Sequence, residues 1–277
     1  MSVKKNIAYG LMVPGFVLIL FFLMLPLIST LWPTIFDGQI SFSQYTSFFT
    51  DEYYVDIFTR TLKISLITTL VCMLLGVPTA YFISRCSVKW KGLLIAVSLF
   101  PLLTNSVVRS FAWINILGKN GIVNQLLLAT GIVDEAVSIL YTEFSVIIGM
   151  VYIFLPIMIL TLVGVMDNID NDMMEAAQSL GANKLKSFAK VVLPMSVPGM
   201  ITGAVLVFTG ALTAYTTPQL LGGNEVLILP TLIYQRSMAM GDWTGASVIA
   251  AIMIVTTLVV MQTLNFIAAK MDKRGEV

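Results

Sequence analysis

Histidine is absent from this 277-residue sequence, and cysteine occurs only twice. Without an imidazole side chain, the protein lacks a common zinc ligand and the usual acid–base catalyst near neutral pH. Cys72 lies inside an apolar segment and Cys86 in a short polar one, so we do not expect a structural disulfide between them. The sequence contains neither an HExxH nor a GxSxG pattern. These absences exclude metal sites and acid–base catalysis that depend on imidazole.

Charged residues are also scarce. They make up only 11% of the sequence, whereas 57% of the residues are hydrophobic, which is far too apolar for an ordinary soluble domain. Six stretches reach the roughly 20 residues that a helix needs to cross the hydrocarbon core of a bilayer. They lie near residues 8–31, 62–83, 93–116, 144–165, 198–219 and 245–269. The first begins like a signal peptide after Lys4 and Lys5, but it is too long and lacks an obvious cleavage site, so we expect a retained anchor. The sequence thus predicts an all-α integral membrane protein.

The distribution of lysine and arginine predicts the orientation in the membrane. Eleven of the sixteen basic residues fall on the side that holds both termini and the loop at residues 167–195. They are Lys4, Lys5, Arg85, Lys89, Lys91, Lys184, Lys186, Lys190, Lys270, Lys273 and Arg274. The other five, on or near the opposite side, are Arg60, Lys63, Arg109, Lys119 and Arg236. By the positive-inside rule, both termini and the loop face the cytoplasm.

The predicted spans contain no aspartate or glutamate between their estimated ends, and Glu143 is the acidic residue nearest to one. Carriers driven by protons or sodium generally hold the coupling ion with intramembrane carboxylates or broken helices, so a secondary carrier is the weaker hypothesis. A structural membrane partner without transport activity is a third hypothesis. An ATP-driven transporter needs a phosphate-binding loop, and no GxxxxGK(S/T) pattern is present. Any ATPase must therefore be a separate polypeptide.

The cytoplasmic loop predicts two short helices with a glycine between them. The first begins with capping oxygens and negative charge, from Asp170, Asn171 and Asp172. We expect it to end near Leu180, because Gly181 fits the left-handed conformation that commonly closes a helix. Asn183 can then cap the second helix.

The second helix is predicted to be amphipathic. Leu185, Phe188 and Val192 recur at helical spacing on one face, while lysines occupy the polar positions. We expect Pro194 and Pro198 to end this helix. The segment therefore indicates a polar docking element held between membrane helices.

The same loop resembles a known family. The residues that carry the resemblance are Glu175, Ala176, Ala177, Gly181, Ala182, Phe188, Leu193 and Pro194. They are similar to the EAA loop of ABC importer permeases, a pair of coupling helices that docks into a groove on the ATPase subunit. An ordinary amphipathic hairpin is the alternative, although the full pattern between two spans favours the coupling loop.

The resemblance implies a six-helix type I importer (MetI-like) permease fold in one transmembrane domain over residues 1–277. It also implies a bacterial cytoplasmic membrane location and three partners, which are an ABC ATPase dimer, a second related permease subunit and an extracytoplasmic solute-binding protein. ATP and Mg²⁺ would bind the ATPase, and we expect no cofactor in this chain. Lipid surrounds the spans, and we expect no nucleic-acid partner.

Longer segments resemble the polyamine-importer branch of these permeases, which transports spermidine and putrescine. They are Pro101–Arg109, Asn120–Leu128, Val146–Pro156 and Tyr215–Gly223. A site for a polycation should offer carboxylates and aromatic rings, and the spans supply only the rings. Permeases with similar sequences carry other small solutes, so another substrate stays open.

Polar and aromatic residues in or near the spans are candidates for the translocation pathway, because such residues usually face a cavity or another helix. We select Asn105, Arg109, Tyr152, Tyr215 and Thr216. Each has a structural alternative. Arg109 could be an arginine that reaches the membrane interface, and the tyrosine rings could pack between helices.

Overall fold

A computed structural model describes residues 2–36 and 40–271, with side chains for residues 13–36, 40–267 and 270. Lys273 and Arg274, which entered the count of cytoplasmic basic residues, lie outside the described residues, and so do the side chains of Lys4 and Lys5. The described residues are almost entirely helical, and their one non-helical pairing is an isolated antiparallel bridge between Phe36 and Ile40. This confirms the all-α prediction.

The helices follow one another with short connections. In chain order they are α1 (Ser2–Ile35), α2 (Ser43–Thr50), α3 (Glu52–Ser84), α4 (Val88–Leu103), α5 (Ser106–Leu117), α6 (Ile122–Ala129), α7 (Glu143–Met166), α8 (Asn171–Ser179), α9 (Lys184–Ser187), a π-helical turn (Phe188–Val192), α10 (Leu193–Met195), α11 (Val197–Thr213), α12 (Thr216–Gly222), α13 (Leu229–Tyr234), a second π-helical turn (Gln235–Ala239) and α14 (Trp243–Met271). Packing divides the chain into two compact units, Met1–Val55 with Leu232–Ile252 and Asp56–Thr231 with Met253–Val277.

In the first unit, α1 includes an apolar stretch of 18 residues of which none is buried, as expected for a helix surrounded by lipid or by a partner. Polar contacts surround Arg236, whose Nη1 lies 2.7 Å from Asp242 Oδ2 and whose guanidinium lies 5.2 Å from the centre of the Tyr54 ring. The Gly245 amide and the Arg236 guanidinium donate to the Asp242 carboxyl and hold its pKa below the usual range.

In the second unit, α7 is the central helix, and it packs against α4, α11 and α12. Met158 and Leu162 on α7 are fully buried. Glycines on α11 allow the two helices to approach closely. A Cβ added at Gly203 would lie 2.6 Å from Met158 Sδ, and one at Gly199 would lie 2.7 Å from Val165 Cγ2. Small residues spaced in this way are typical of tightly packed membrane helices.

Ion pairs hold both ends of α7. At its first residue, the Glu143 carboxylate lies 2.7 Å from Lys63 Nζ and 3.5 Å from Arg60 Nε, both on α3. Just beyond its last residue, Asp167 Oδ1 lies 2.9 Å from Lys91 Nζ on α4. Glu143, the acidic residue nearest to a predicted span, is thus neutralised by two cations at the helix end.

Four predicted spans, 8–31, 62–83, 144–165 and 245–269, lie within the longer helices α1, α3, α7 and α14. These four helices are long and apolar enough to cross a membrane, and the number rises to six if each of two bent helix pairs counts as one span. One pair combines Val88–Leu103 with Ser106–Ala129 at 93°, and the other combines Lys184–Met195 with Val197–Thr213 at 65°.

The other two predicted spans are not continuous helices, which corrects the expectation for 93–116 and 198–219. The third is broken at Thr104 and Asn105, and the Asn105 side chain starts a new helix there by accepting from Val107 N at 2.9 Å. The fifth ends at Thr213. A continuous helix would bring the ring of Pro218 against the carbonyl of Ala214, so α12 starts anew at Thr216.

Candidate functional site

The first helix of the loop at residues 167–195, α8, ends with the hydrogen bonds of a Schellman motif. Gly181 N donates to Gln178 O at 2.9 Å, and Ala182 N donates to Ala177 O at 3.1 Å. Gly181 has a φ of +89°, which confirms the left-handed conformation predicted from the sequence. At the other end, Asp170 occupies the N-cap position but makes no side-chain cap, so the helix start relies on the charge of Asp172 in its first turn.

The second helix begins as predicted, because Asn183 Oδ1 accepts from Lys186 N at 2.8 Å. Its continuation differs from the prediction. Four α-helical residues lead into the π-helical turn Phe188–Val192, and Pro194 lies within α10 instead of ending the helix. Pro194 cannot donate to the carbonyl of residue 190 and its ring occupies that space, so the turn widens. Pro198 lies in the first turn of α11.

The π-helical turn also changes which side chains lie on the same face of the second helix. Val192 is buried and Phe188 is half-buried, but Leu185 is 77% exposed, so these three residues do not form the single apolar face that we predicted. Leu180, on the other side of Gly181, is 90% exposed. Two exposed leucines therefore flank the glycine that joins the helices.

The remaining loop residues of the predicted set divide by exposure. Glu175 and Ala176 are exposed on α8, Pro194 is exposed on α10, and Ala177, Ala182 and Leu193 are half-buried. An exposed acidic side chain and two exposed leucines offer both charge and apolar area to a partner. The geometry therefore suits docking to another protein.

The buried side of the loop packs against α3. Ile169, Met174 and Val192 form a small buried cluster. The Tyr81 ring from α3 packs against this cluster, with its centre 4.7 Å from that of Phe188. Arg85 directly follows the last residue of α3, and its guanidinium lies 5.5 Å from the centre of the Tyr81 ring while its Nη1 donates to Ile169 O at 3.0 Å. Sequence reasoning did not select Tyr81 and Arg85 as site residues, although an aromatic and a basic residue four apart at the end of a predicted span were visible.

The five pathway candidates lie on or beside three helices that pack against one another, α5, α7 and α12. Asn105 caps α5, and Tyr152 on α7 meets Trp113 edge to face with the ring centres 5.6 Å apart. Tyr215 immediately precedes α12 and Thr216 is its first residue. The structure therefore brings together the helices that carry or adjoin these five candidates, next to the breaks between α4 and α5 and between α11 and α12.

Arg109 has a definite structural contact. Its Nη1 donates to Pro101 O at 2.6 Å and to Thr104 O at 3.3 Å. Pro101 lies in the last turn of α4 and Thr104 is its C-cap residue, at the end of a helix where carbonyl groups have no partner within the helix. Arg109 therefore bridges the break between α4 and α5.

Replacing Arg109 with alanine is expected to destabilise this break by about 1–3 kcal/mol, because two carbonyls lose a charged donor. The measurement is hydrogen exchange of the amides at residues 105–109 in detergent micelles, which should become faster. Lys119→Ala, at an exposed basic residue of the next loop, is the matched control and should leave these amides unchanged. Equal protection in both variants would contradict the bridging role.

Comparison with known proteins agrees with these features. Residues 65–274 match the family model described as "Binding-protein-dependent transport system inner membrane component". The chain is 35% identical to the spermidine/putrescine transport system permease protein PotB of Haemophilus influenzae, over 84% of this chain and 80% of the relative. It is 34% identical to the Escherichia coli protein of the same name, over 76% of this chain and 77% of the relative.

The fold is also known from solved structures. A chain of the bacterial alginate ABC transporter, solved in complex with an alginate pentasaccharide-bound periplasmic protein, superposes with a TM-score of 0.81 at 20% identity. The match covers 98% of this chain and 97% of that chain. At this identity the likeness concerns the fold, and it confirms the importer permease fold that the loop residues implied. The chain belongs to the family of binding-protein-dependent transport system inner membrane components.

Proposed function

We propose that this chain is the transmembrane permease subunit of an ATP-driven importer of polyamines, with spermidine or putrescine as substrate. The observation that carries the substrate is the 35% identity to a spermidine/putrescine permease over 84% of the chain. The chain itself performs no chemistry. A separate ATPase dimer binds ATP and Mg²⁺ and hydrolyses the ATP. An extracytoplasmic binding protein and a second related permease complete the complex.

The coupling step uses the cytoplasmic loop. Glu175, with the exposed leucines on either side of Gly181, contacts a groove on the ATPase. When two ATPase subunits close around ATP, the docked helices move with them. The attached spans then tilt as near-rigid bodies and open or close the pathway. This role places the loop and both termini in the cytoplasm.

The pathway is compatible with a cation that is bound weakly and briefly. Tyr152 and Tyr215 lie on or beside the packed helices α5, α7 and α12 and offer aromatic faces, each worth roughly 0.5–2 kcal/mol to an ammonium group. Glu143, the acidic residue nearest to a predicted span, is already paired with two basic side chains and offers no free carboxylate to a cationic substrate. Strong selection of the substrate is therefore left to the binding protein. Another small solute remains the alternative substrate, because weak polar contacts of this kind do not select one cation.

Uptake into proteoliposomes tests the proposal. The vesicles contain this chain with its second permease and ATPase, the binding protein is added outside, and labelled spermidine is the substrate. We expect ATP-dependent uptake that unlabelled putrescine suppresses and that amino acids and sugars leave unchanged. Vanadate should abolish it, whereas an ion-coupled carrier would continue. ATP hydrolysis stimulated by a different loaded binding protein, with no spermidine uptake, would contradict the substrate. A complex without substrate-dependent ATP hydrolysis would instead indicate a structural partner.

A further inference from the structure

The docking helices contact α3 through long side chains. The helices α8 and α9, the π-helical turn and α10 pack mainly against one another. Phe188 and Leu193 also pack against the buried core cluster to which α3 contributes. Two specific contacts join the end of α3 to the loop, which are the Tyr81–Phe188 ring pair and the hydrogen bond from Arg85, directly after α3, to Ile169 O in the segment between α7 and α8. Movement of the loop can reach α3 through these two contacts.

These two contacts reinforce each other. The Arg85 guanidinium lies over the same Tyr81 ring that meets Phe188, so Arg85 helps to hold Tyr81 in position. The hydrogen bond fixes Arg85 to the segment between α7 and α8, while the ring pair fixes Tyr81 to the second docking helix. An aromatic pair and a cation over a ring are each attractive beyond the apolar area that they bury. Arg85 thus contacts the loop before Gly181, at Ile169, and Tyr81 contacts it after Gly181, at Phe188.

The same region holds buried polar atoms without a partner among the described residues. They are Arg85 Nε, Arg85 Nη2 and Ser187 Oγ. Buried donors without an acceptor are rare in folded proteins and call for an explanation. The π-helical turn that starts at Phe188 is a second uncommon feature, and such turns occur frequently at functional sites. If the loop changes conformation, these unpaired donors beside the widened turn can form a different set of hydrogen bonds.

We infer that Tyr81 and Arg85 are positioning residues that transmit the movement of the docking helices to α3. This inference rests on the proposed function, because it assumes that the loop moves with an ATPase. Neither residue touches the substrate or ATP. Tyr81 acts through its ring against Phe188, and Arg85 acts through its stacking on that ring and its bond to Ile169 O.

Four variants in the complete complex test the inference, and the quantity measured is labelled solute taken up per ATP hydrolysed. Tyr81→Ala and Arg85→Ala should lower this ratio by about tenfold, which lies within the usual range of coupling between sites. Tyr81→Phe keeps the ring and should stay near the wild-type ratio. Arg85→Lys keeps the charge but loses the planar group, and its ratio should fall with that of Arg85→Ala.

Matched controls are available on the same surface. Phe82 is adjacent to Tyr81 and 63% exposed, and Lys89 is an exposed basic residue four positions beyond Arg85. Phe82→Ala and Lys89→Ala should leave the ratio unchanged. An unchanged ratio in Tyr81→Ala and Arg85→Ala would overturn the inference. So would a loss of assembled complex with a normal ratio in the remainder, because that result describes a purely structural contact.

A distance measurement separates this inference from the substrate assignment. Spin labels at Lys190→Cys, on the exposed side of the π-helical turn, and at Leu74→Cys, which is 74% exposed on α3, are introduced with Cys86→Ser. In the otherwise unchanged complex, the two labels should keep one distance with and without ATP. In Tyr81→Ala the distribution of label distances should shift or broaden when ATP binds. An unchanged distribution in that variant would contradict the role of Tyr81 as a positioning residue. A complex that hydrolyses ATP but carries no spermidine would refute the proposed substrate, and this distance would still decide the role of Tyr81.

Discussion

Replacing Gly181 with valine is expected to abolish ATP-driven uptake while the protein stays in the membrane. Gly181 has a φ of +89°, a conformation that costs a residue with a Cβ roughly 1–2 kcal/mol. A Cβ at this position would meet no atom within 4 Å, so the penalty is one of backbone conformation and not of packing. A β-branched residue relieves the strain by changing φ, which rotates one docking helix relative to the other and breaks the Schellman hydrogen bonds.

The matched variant is Gly181→Asn, because asparagine tolerates the left-handed conformation better than other residues with a Cβ. We expect it to keep a substantial part of the uptake and of the substrate-stimulated ATP hydrolysis. The measurements are uptake, ATP hydrolysis and the amount of ATPase that copurifies with the chain from the membrane. Normal uptake by Gly181→Val would refute the assignment of this loop as the coupling element.

Replacing Gly203 with leucine should strongly destabilise the packing of α11 against α7. The added Cβ alone would lie 2.6 Å from Met158 Sδ, and Met158 is fully buried at the centre of the second unit. Overpacking costs about 1–3 kcal/mol where neighbours can yield, and more where two backbones must separate. Because α11 packs along α7, separating them disturbs the helix that holds the core together.

Gly164→Leu provides the control for that experiment. Gly164 lies on α7, and a Cβ there would meet no atom within 4 Å. Both variants add the same side chain and lose the same backbone freedom, so the difference between them isolates the close approach of α7 and α11. Thermal unfolding in detergent should show a large loss of stability for Gly203→Leu alone. Similar melting temperatures for the two variants would contradict the close packing.

Local chemistry made much of the docking loop predictable from the sequence. The cap at Asn183 and the left-handed Gly181 depend on residues within a few positions of each other, and both were confirmed. The face formed by Leu185 was predicted wrongly because a regular helical period was assumed. Pro194, nine residues further on, widens the intervening turn and changes the direction of the side chains before it.

The membrane spans show the same limit of prediction from the sequence. An apolar run of suitable length and composition has the same hydropathy whether its helix is straight or broken, so the breaks at Asn105 and Ala214 were not predicted. Asn105 and Arg109 were selected as polar residues of a pathway. Their described contacts are a helix cap and a bridge to two carbonyl groups, both of which depend on the break.

The sequence by itself determined the class of molecule, the helical content and the local geometry of the loop at Asn183 and Gly181. These follow from composition, from the length of apolar runs and from short-range capping, all of which are properties of neighbouring residues. Only the tertiary structure decided where the spans bend, which face of the loop stays exposed and how the loop is attached to α3. The contact between Tyr81 and Phe188 joins residues that are far apart in the chain. Because such pairing depends on how helices pack, no local pattern in the sequence specifies it.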